Sequence, residues 1–525
     1  MLLSRNPLCA QNGCATTSHP IASAIGVDIL KQGGNAIDAA IAMAATLTVV
    51  EPTSNGLGSD AFAIVAYQNE LYGLNGSGKS PALLTKENVI KKHGPITKMP
   101  RYGWSSVTTP GAIKAWVDLH ERFGSLPFET LLQPAINLAK NGFVVGDEIA
   151  KNWQNAMKRY ASFDHDDFSE LLKTFTKEGK APLQRTIFQL ENHAKTLEEI
   201  AKTKGKSFYE GALADQIEAS SIKHGGFLRK ADLRNHQSEW VKPVSIKYRD
   251  YDIYELPPNG HGIVTLMGLN ILNQFPYEDS IEDVHRCFEA MKLAFASGKY
   301  HISDMDCMNV SVASLLSEEY AKKMKESISD EAQMPLVHHP YQGGTVYLCC
   351  ADKEGNMISY IQSNYNGFGS GIVVEDSGIA LQNRGVDFSL NEDDVNFLMP
   401  NKRSYHTIIP GFLGKNGKLI GPFGVMGGYM QPQGHLQVVR HMIDQHLNPQ
   451  AALDQPRWQW MEGKKFIVEK HFDQKMIEAL RERGHIVEIE ENHSRFGRGQ
   501  IILRLDNGLY LVGCESRCDS NIALY

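Results

Sequence analysis

No stretch of this sequence approaches the roughly 18–20 uninterrupted apolar residues that a membrane-spanning helix needs. The longest apolar run near the start, Ala39 to Val50, is broken by threonines. An excess of positive charge is also missing: 53 Lys and Arg stand against 60 Asp and Glu, a net charge of −7, which gives no basis for a nucleic-acid surface. Residues Met1 to Gly13 carry one Arg and lack the ~7–15-residue apolar stretch of a secretory signal. The eight cysteines form neither a disulfide framework nor a CxxC pair. Cys514 and Cys518 come closest to a metal pair, but no clustered His accompanies them, so no metal site is expected. Small buried thiols in a reducing cytoplasm fit this usage best. Repeats, low-complexity tracts and interdomain linkers are absent as well.

What is present is an ordinary globular composition, 42% hydrophobic and 22% charged, in a 525-residue chain with ample length for a large core. Apolar residues recur at helical spacing from His19 to Lys31 and stop at Gly33-Gly34. Asp38 to Val50 reads as a second, Ala-rich helix. Ala61 to Tyr67 and Leu71 to Leu74 read as strands about a polar turn. From Gly111 to about Gln237 the pattern is mainly helical. Thr345 to Ala351 is a continuous β-prone run, and after the turn Asp352 to Asn356 the run Met357 to Gln362 completes a hairpin. In that first strand Cys349 and Cys350 should face opposite sides. Further strands are expected at Gly371 to Val374, Thr407 to Ile409, Lys418 to Gly421, Phe466 to Val468, Ile486 to Ile489, Gln500 to Leu505 and Leu509 to Val512. Helices are expected at Gly434 to His446 and Gln474 to Arg483. Together these describe one layered α/β body.

Three segments carry candidate chemistry. In Gln342-Gly343-Gly344-Thr345, two glycines open the backbone before a hydroxyl residue at a strand start. The Thr345 hydroxyl could reach the Gly344 carbonyl, convert the amide to an ester and let water cut the chain. The freed α-amine, with an ordinary pKa of ~7.7–8.0, would then serve as base for its own hydroxyl. In Gly424-Val425-Met426-Gly427-Gly428, diglycine amides could face a developing oxyanion. In Asn364 to Gly371 a glycine- and amide-rich loop follows Ser363, which could hold the Thr345 hydroxyl. Taken alone, the first two read more readily as ordinary turns and the third as readily as a plain connection.

Taken together the segments resemble the γ-glutamyltransferase (glutathione hydrolase) family over nearly the whole chain. The block Gly26-Val27-Asp28-Ile29-Leu30-Lys31-Gln32-Gly33-Gly34-Asn35-Ala36-Ile37-Asp38-Ala39-Ala40 is similar to its large-subunit signature. Thr109-Pro110-Gly111, Leu256-Pro257-Pro258 and Glu289-Ala290-Met291-Lys292 follow in the family's order. Asp352 to Asn356, Phe368 to Val373 and Asp387-Phe388-Ser389 match the small-subunit pattern. The resemblance implies an α/β (α+β) fold, the four-layer αββα sandwich of N-terminal-nucleophile hydrolases. It also implies autocleavage between Gly344 and Thr345 into a large subunit 1–344 and a small subunit 345–525, held as a heterodimer or a dimer of heterodimers. Thr345 would be the nucleophile, Ser363 the hydroxyl contacting it, and Gly427 and Gly428 the oxyanion donors. No cofactor is implied.

The departures bear on substrate. The family arginine that grips the glutamyl carboxylate falls on Ser77, the serine pair on His406-Thr407, the asparagine on Tyr365 and the glutamine on Arg384; Asp387 is retained. Val346 and Tyr347 replace the threonine and histidine that follow the nucleophile, and the lid segment between Asp387 and Pro410 is short. A neutral serine cannot replace a bidentate clamp, whereas Arg384, Lys79 and His406 could bring positive charge from other directions. The pattern resembles the subgroup of oxamate amidohydrolase and cephalosporin-acylase-like proteins. It implies an amidohydrolase for a small-molecule amide next to a small acidic acyl group. The alternatives are true γ-glutamyl hydrolysis or transfer, and an uncut, non-catalytic binding relative.

Overall fold

The computed structural model describes residues 5–163, 166–335 and 344–525. Of the predicted cleavage junction, Gln342 and Gly343 lie outside the described residues. Two seven-stranded antiparallel sheets form the centre. One runs Asn521–Leu524, Gly13–Thr17, Gly344–Asp352, Met357–Tyr365, Asp60–Tyr67, Glu70–Asn75 and Glu239–Val241. The other runs Leu8–Ala10, Tyr510–Cys514, Arg498–Arg504, Lys418–Met426, Gly411–Lys415, Tyr251–Glu255 and Val244–Tyr248.

Side-chain alternation along the strands sorts residues into layers. From Gly344–Asp352, Tyr347, Cys349 and Ala351 enter the space between the sheets, where Phe412, Met426 and Ile502 of the other sheet meet them. Val346, Leu348 and Cys350 face an outer helical layer, so Cys349 and Cys350 do point to opposite sides. That layer includes Ala36–Val50, every residue of which is buried, started by an Asn35/Asp38 capping box. The other sheet is covered by Gly262–Leu272, Ile281–His301 and Met430–Ile443, packed on Ile253, Phe423 and Val425. The result is the expected αββα sandwich.

Two expected strands are not strands. Val373 makes a single bridge to Ala380, and His406 one to Gly260. Around residue 407 the backbone donors go to side chains instead: Ile408 N–H to His406 Nδ1 and Ile409 N–H to Gln431 Oε1. The helix expected from Gly434 begins earlier, at Met430. All eight cysteines are free, and no helix of the described residues is long and apolar enough to cross a membrane.

Candidate active site

Thr345 is fully buried at the head of Gly344–Asp352. The ladder slips beside it. Gly344 pairs with Tyr365 and Val346 with Gln362, so Ser363 and Asn364 together oppose Thr345. Irregularities of this kind re-aim side chains. Here the Thr345 hydroxyl donates to Ser363 Oγ at 3.1 Å, and Ser363 donates onward to the Gly344 carbonyl at 2.8 Å. The Tyr365 N–H donates to the same Ser363 oxygen at 2.8 Å. One hydroxyl therefore orients the threonine oxygen and polarises the carbonyl just upstream. A Cβ at 344 would be a tight fit, 3.1 Å from Gly367 N and 3.2 Å from Thr53 O.

Tyr365 connects this hydroxyl pair to a buried charged cluster. Its φ of 75° is unusual for a bulky residue, and three contacts hold it there. Its N–H reaches Ser363, its OH donates to Asp387 Oδ1 at 2.9 Å, and its ring centroid lies 4.2 Å from the Arg384 guanidinium carbon. Arg384 is buried and donates from Nη1 to Thr407 Oγ1 at 2.6 Å. Its Nε and Nη2 have no partner among the described residues, and neither has Asp387 Oδ2. Burial raises the Asp387 pKa, with Lys299 and Arg384 opposing that rise. The Lys299 ammonium touches the Tyr429 hydroxyl and lies 4.0 Å from the Tyr405 ring centroid. The Tyr429 OH in turn donates to Asp387 Oδ1 at 3.3 Å.

The diglycine reaches this cluster through Tyr429, which directly follows Gly428. Gly427 and Gly428 have φ of 140° and 63°, conformations that glycine adopts without steric cost. Their carbonyls accept the Met430 and Gln431 N–H groups as the helix Met430–Ile443 starts. The diglycine amides thus sit at the electropositive end of a 14-residue helix.

His406 is buried with its Nε2 3.1 Å from Asp60 Oδ2. Its Nδ1 accepts the Ile408 N–H, so Nε2 carries the proton. Burial holds its pKa well below the ordinary histidine value, and the ring is neutral at pH 7. Of the other two predicted positions, Ser77 is committed elsewhere. Its hydroxyl lies 2.7 Å from Asn75 Oδ1 and its carbonyl accepts Arg403 Nε. Lys79 lines a small pocket with Asp232, His236 and Arg403 that none of Thr345, Ser363, Arg384 or Asp387 lines. The structure thus unites Thr345, Ser363, Tyr365, Arg384, Asp387 and Thr407, brings His406 beside them, and leaves Lys79 apart.

Sequence reasoning missed Asp60, Lys299 and Tyr429. Asp60 left a signal, a carboxylate heading the otherwise apolar strand Asp60–Tyr67; the others left none. Elsewhere, His285, Glu289 and His485 converge as potential metal ligands among the described residues. The Lys292 ammonium already lies 2.6 Å from Glu289, and the two imidazoles meet each other at 2.9 Å. Glu289 and the facing imidazole nitrogens thus have partners, while His485 Nδ1 has none among the described residues.

With this geometry in view, comparison with known proteins is decisive about kinship. A family model described as gamma-glutamyltranspeptidase matches residues 22–525. A cephalosporin acylase from Bacillus halodurans has 49% sequence identity and a TM-score of 0.97, covering 100% of this chain and 98% of that one. A glutathione hydrolase-like YwrD proenzyme of Bacillus subtilis (strain 168) is 35% identical over 94% of this chain and 95% of its own. An oxamate amidohydrolase proenzyme of Klebsiella pneumoniae is 32% identical over 98% of each.

Proposed function

The chain belongs to the γ-glutamyltranspeptidase family of N-terminal-nucleophile hydrolases, and from that premise we propose that Thr345 first cuts its own chain after Gly344 and then hydrolyses an amide beside a small anionic acyl group. The observation that carries this reading is the chain of contacts from Thr345 Oγ1 through Ser363 Oγ to the Gly344 carbonyl. Attack of the threonine oxygen on that carbonyl forms a C–O bond, and breaking the C–N bond leaves an ester and a free α-amine. Water then hydrolyses the ester, giving a carboxylate at Gly344 and restoring the hydroxyl. Segments 1–344 and 345–525 stay together because Gly13–Thr17 lies between Gly344–Asp352 and Asn521–Leu524 in one sheet.

In the matured enzyme the α-amine takes the Thr345 hydroxyl proton as the oxygen attacks the substrate carbonyl. The Gly427 and Gly428 amides stabilise the oxyanion, the amine leaves protonated, and water releases the acyl group from its ester. The open donors of Arg384 and the nearby Lys299 favour an anionic acyl group. The name of one relative, oxamate amidohydrolase, supports a short acyl group of that charge, and that of another, cephalosporin acylase, supports amide cleavage. A second reading, γ-glutamyl hydrolysis, is favoured by the open Oδ2 of Asp387, a receptor for an ammonium group. Kinetics with oxamate, glutaryl amides and γ-glutamyl-p-nitroanilide decide between them: the first reading predicts higher kcat/KM for oxamate or glutaryl amides, and preferred glutamyl turnover would replace it. The eight free thiols support the cytoplasm as its compartment.

A further inference from the structure

Asp60 is wholly buried at the head of the strand Asp60–Tyr67, directly across the ladder from Ser363. Its Oδ1 accepts the Gly78 and Gly111 N–H groups at 3.3 and 3.1 Å, and its Oδ2 accepts His406 Nε2–H at 3.1 Å. His406 leads into Thr407, whose hydroxyl holds Arg384 Nη1. The imidazole is wedged against Phe62, ring centroids 4.8 Å apart. An amide here could accept the two backbone N–H groups through its single oxygen, but its NH2 would then meet the His406 Nε2–H donor against donor, so the three donors call for both oxygens of a carboxylate.

Its charge acts on Arg384, and each group perturbs the other's protonation. Arg384 also feels Tyr365, Asp387 and Tyr429, while Asp60 feels Arg403 and is felt by Tyr209. Two donor nitrogens of Arg384 remain open among the described residues. We propose that Asp60 is the internal counter-anion of the acyl pocket, a positioning residue that balances Arg384 in the empty site and competes with a bound anionic acyl group. It thereby determines how sharply the site discriminates anionic from neutral acyl groups. This rests on the anionic-acyl reading given above.

Burial pushes the Asp60 carboxyl up to about 7, against the pull of Arg384 and its backbone donors. Below that value the carboxyl is neutral, Arg384 is uncompensated and an anionic acyl group binds more strongly. Above it the ionised carboxylate competes. The test is the ratio of KM for a glutaryl amide to KM for the isosteric neutral acyl amide, measured from pH 6 to 8 on the matured protein. Taking the ratio removes the titration of the Thr345 amine, which affects both substrates alike. In the wild type the ratio should rise about three- to tenfold across this range. In Asp60→Asn it should be flat and low, while Asp60→Glu should restore the slope. A flat wild-type ratio overturns the proposal without recourse to any variant. A slope that persists in Asp60→Asn overturns it while leaving the acyl preference standing. Equal kcat/KM for glutaryl and neutral amides at every pH would bring down both this proposal and the anionic-acyl reading.

Discussion

The two halves of the site differ in how completely they satisfy themselves. At Thr345 the threonine hydroxyl, serine hydroxyl, glycine carbonyl and tyrosine amide satisfy one another, with only the neighbouring Asn364 Nδ2 and Thr53 Oγ1 left without a partner among the described residues. Around Arg384 and Asp387, two guanidinium nitrogens and one carboxylate oxygen have no partner among the described residues. Buried polar groups left open are costly, so a fold retains them where something else completes them. On the proposed reading, the first region acts on the chain itself. The second is arranged to receive another molecule.

Substitutions can break that contrast. Thr345→Ala should abolish chain cleavage and amide hydrolysis together, whereas Thr345→Ser should still cleave, more slowly; electrophoresis and a substrate assay read both. Ser363→Ala removes the donor to the Gly344 carbonyl and should slow cleavage about 10²–10³-fold, the usual loss for an oxyanion donor, as timed on freshly made precursor. Arg384→Met should leave cleavage nearly intact but raise KM for an anionic amide about 10- to 100-fold, from the loss of a charged hydrogen bond. Arg384→Lys should not restore it, because an ammonium cannot reproduce the planar fork over Tyr365. If Arg384→Met instead blocked cleavage, the two regions would not be separable. The smallest effect is expected for Gly344→Ala. Its new Cβ must push Gly367 and Thr53 back by tenths of an ångström, and cleavage should slow roughly severalfold.

The same contrast marks what the sequence could disclose. Thr345, Ser363 and the diglycine could be singled out through the ordered family blocks around them, since each local pattern alone reads as an ordinary turn. The hairpin from Thr345 to Gln362 was readable from β-propensity and a polar turn, although the second strand continues to Tyr365. Lys299 meets Tyr429 at a separation of 130 and Asp60 meets His406 at a separation of 346, so local spacing does not reveal these partnerships, even where a carboxylate heading an apolar strand marks Asp60 itself. Thr407 to Ile409 misled because β-prone residues can hand their amides to side chains, as to His406 and Gln431. The short strands Leu8–Ala10 and Asn521–Leu524 exist only by pairing at the sheet edges, which composition does not show.

The central claim concerns one peptide bond, and sequencing the termini of the purified wild-type protein after incubation tests it most directly. The account predicts two fragments that remain associated, the smaller beginning Thr345-Val346-Tyr347. A 525-residue chain that stays whole, or a new terminus at any other residue, would contradict it.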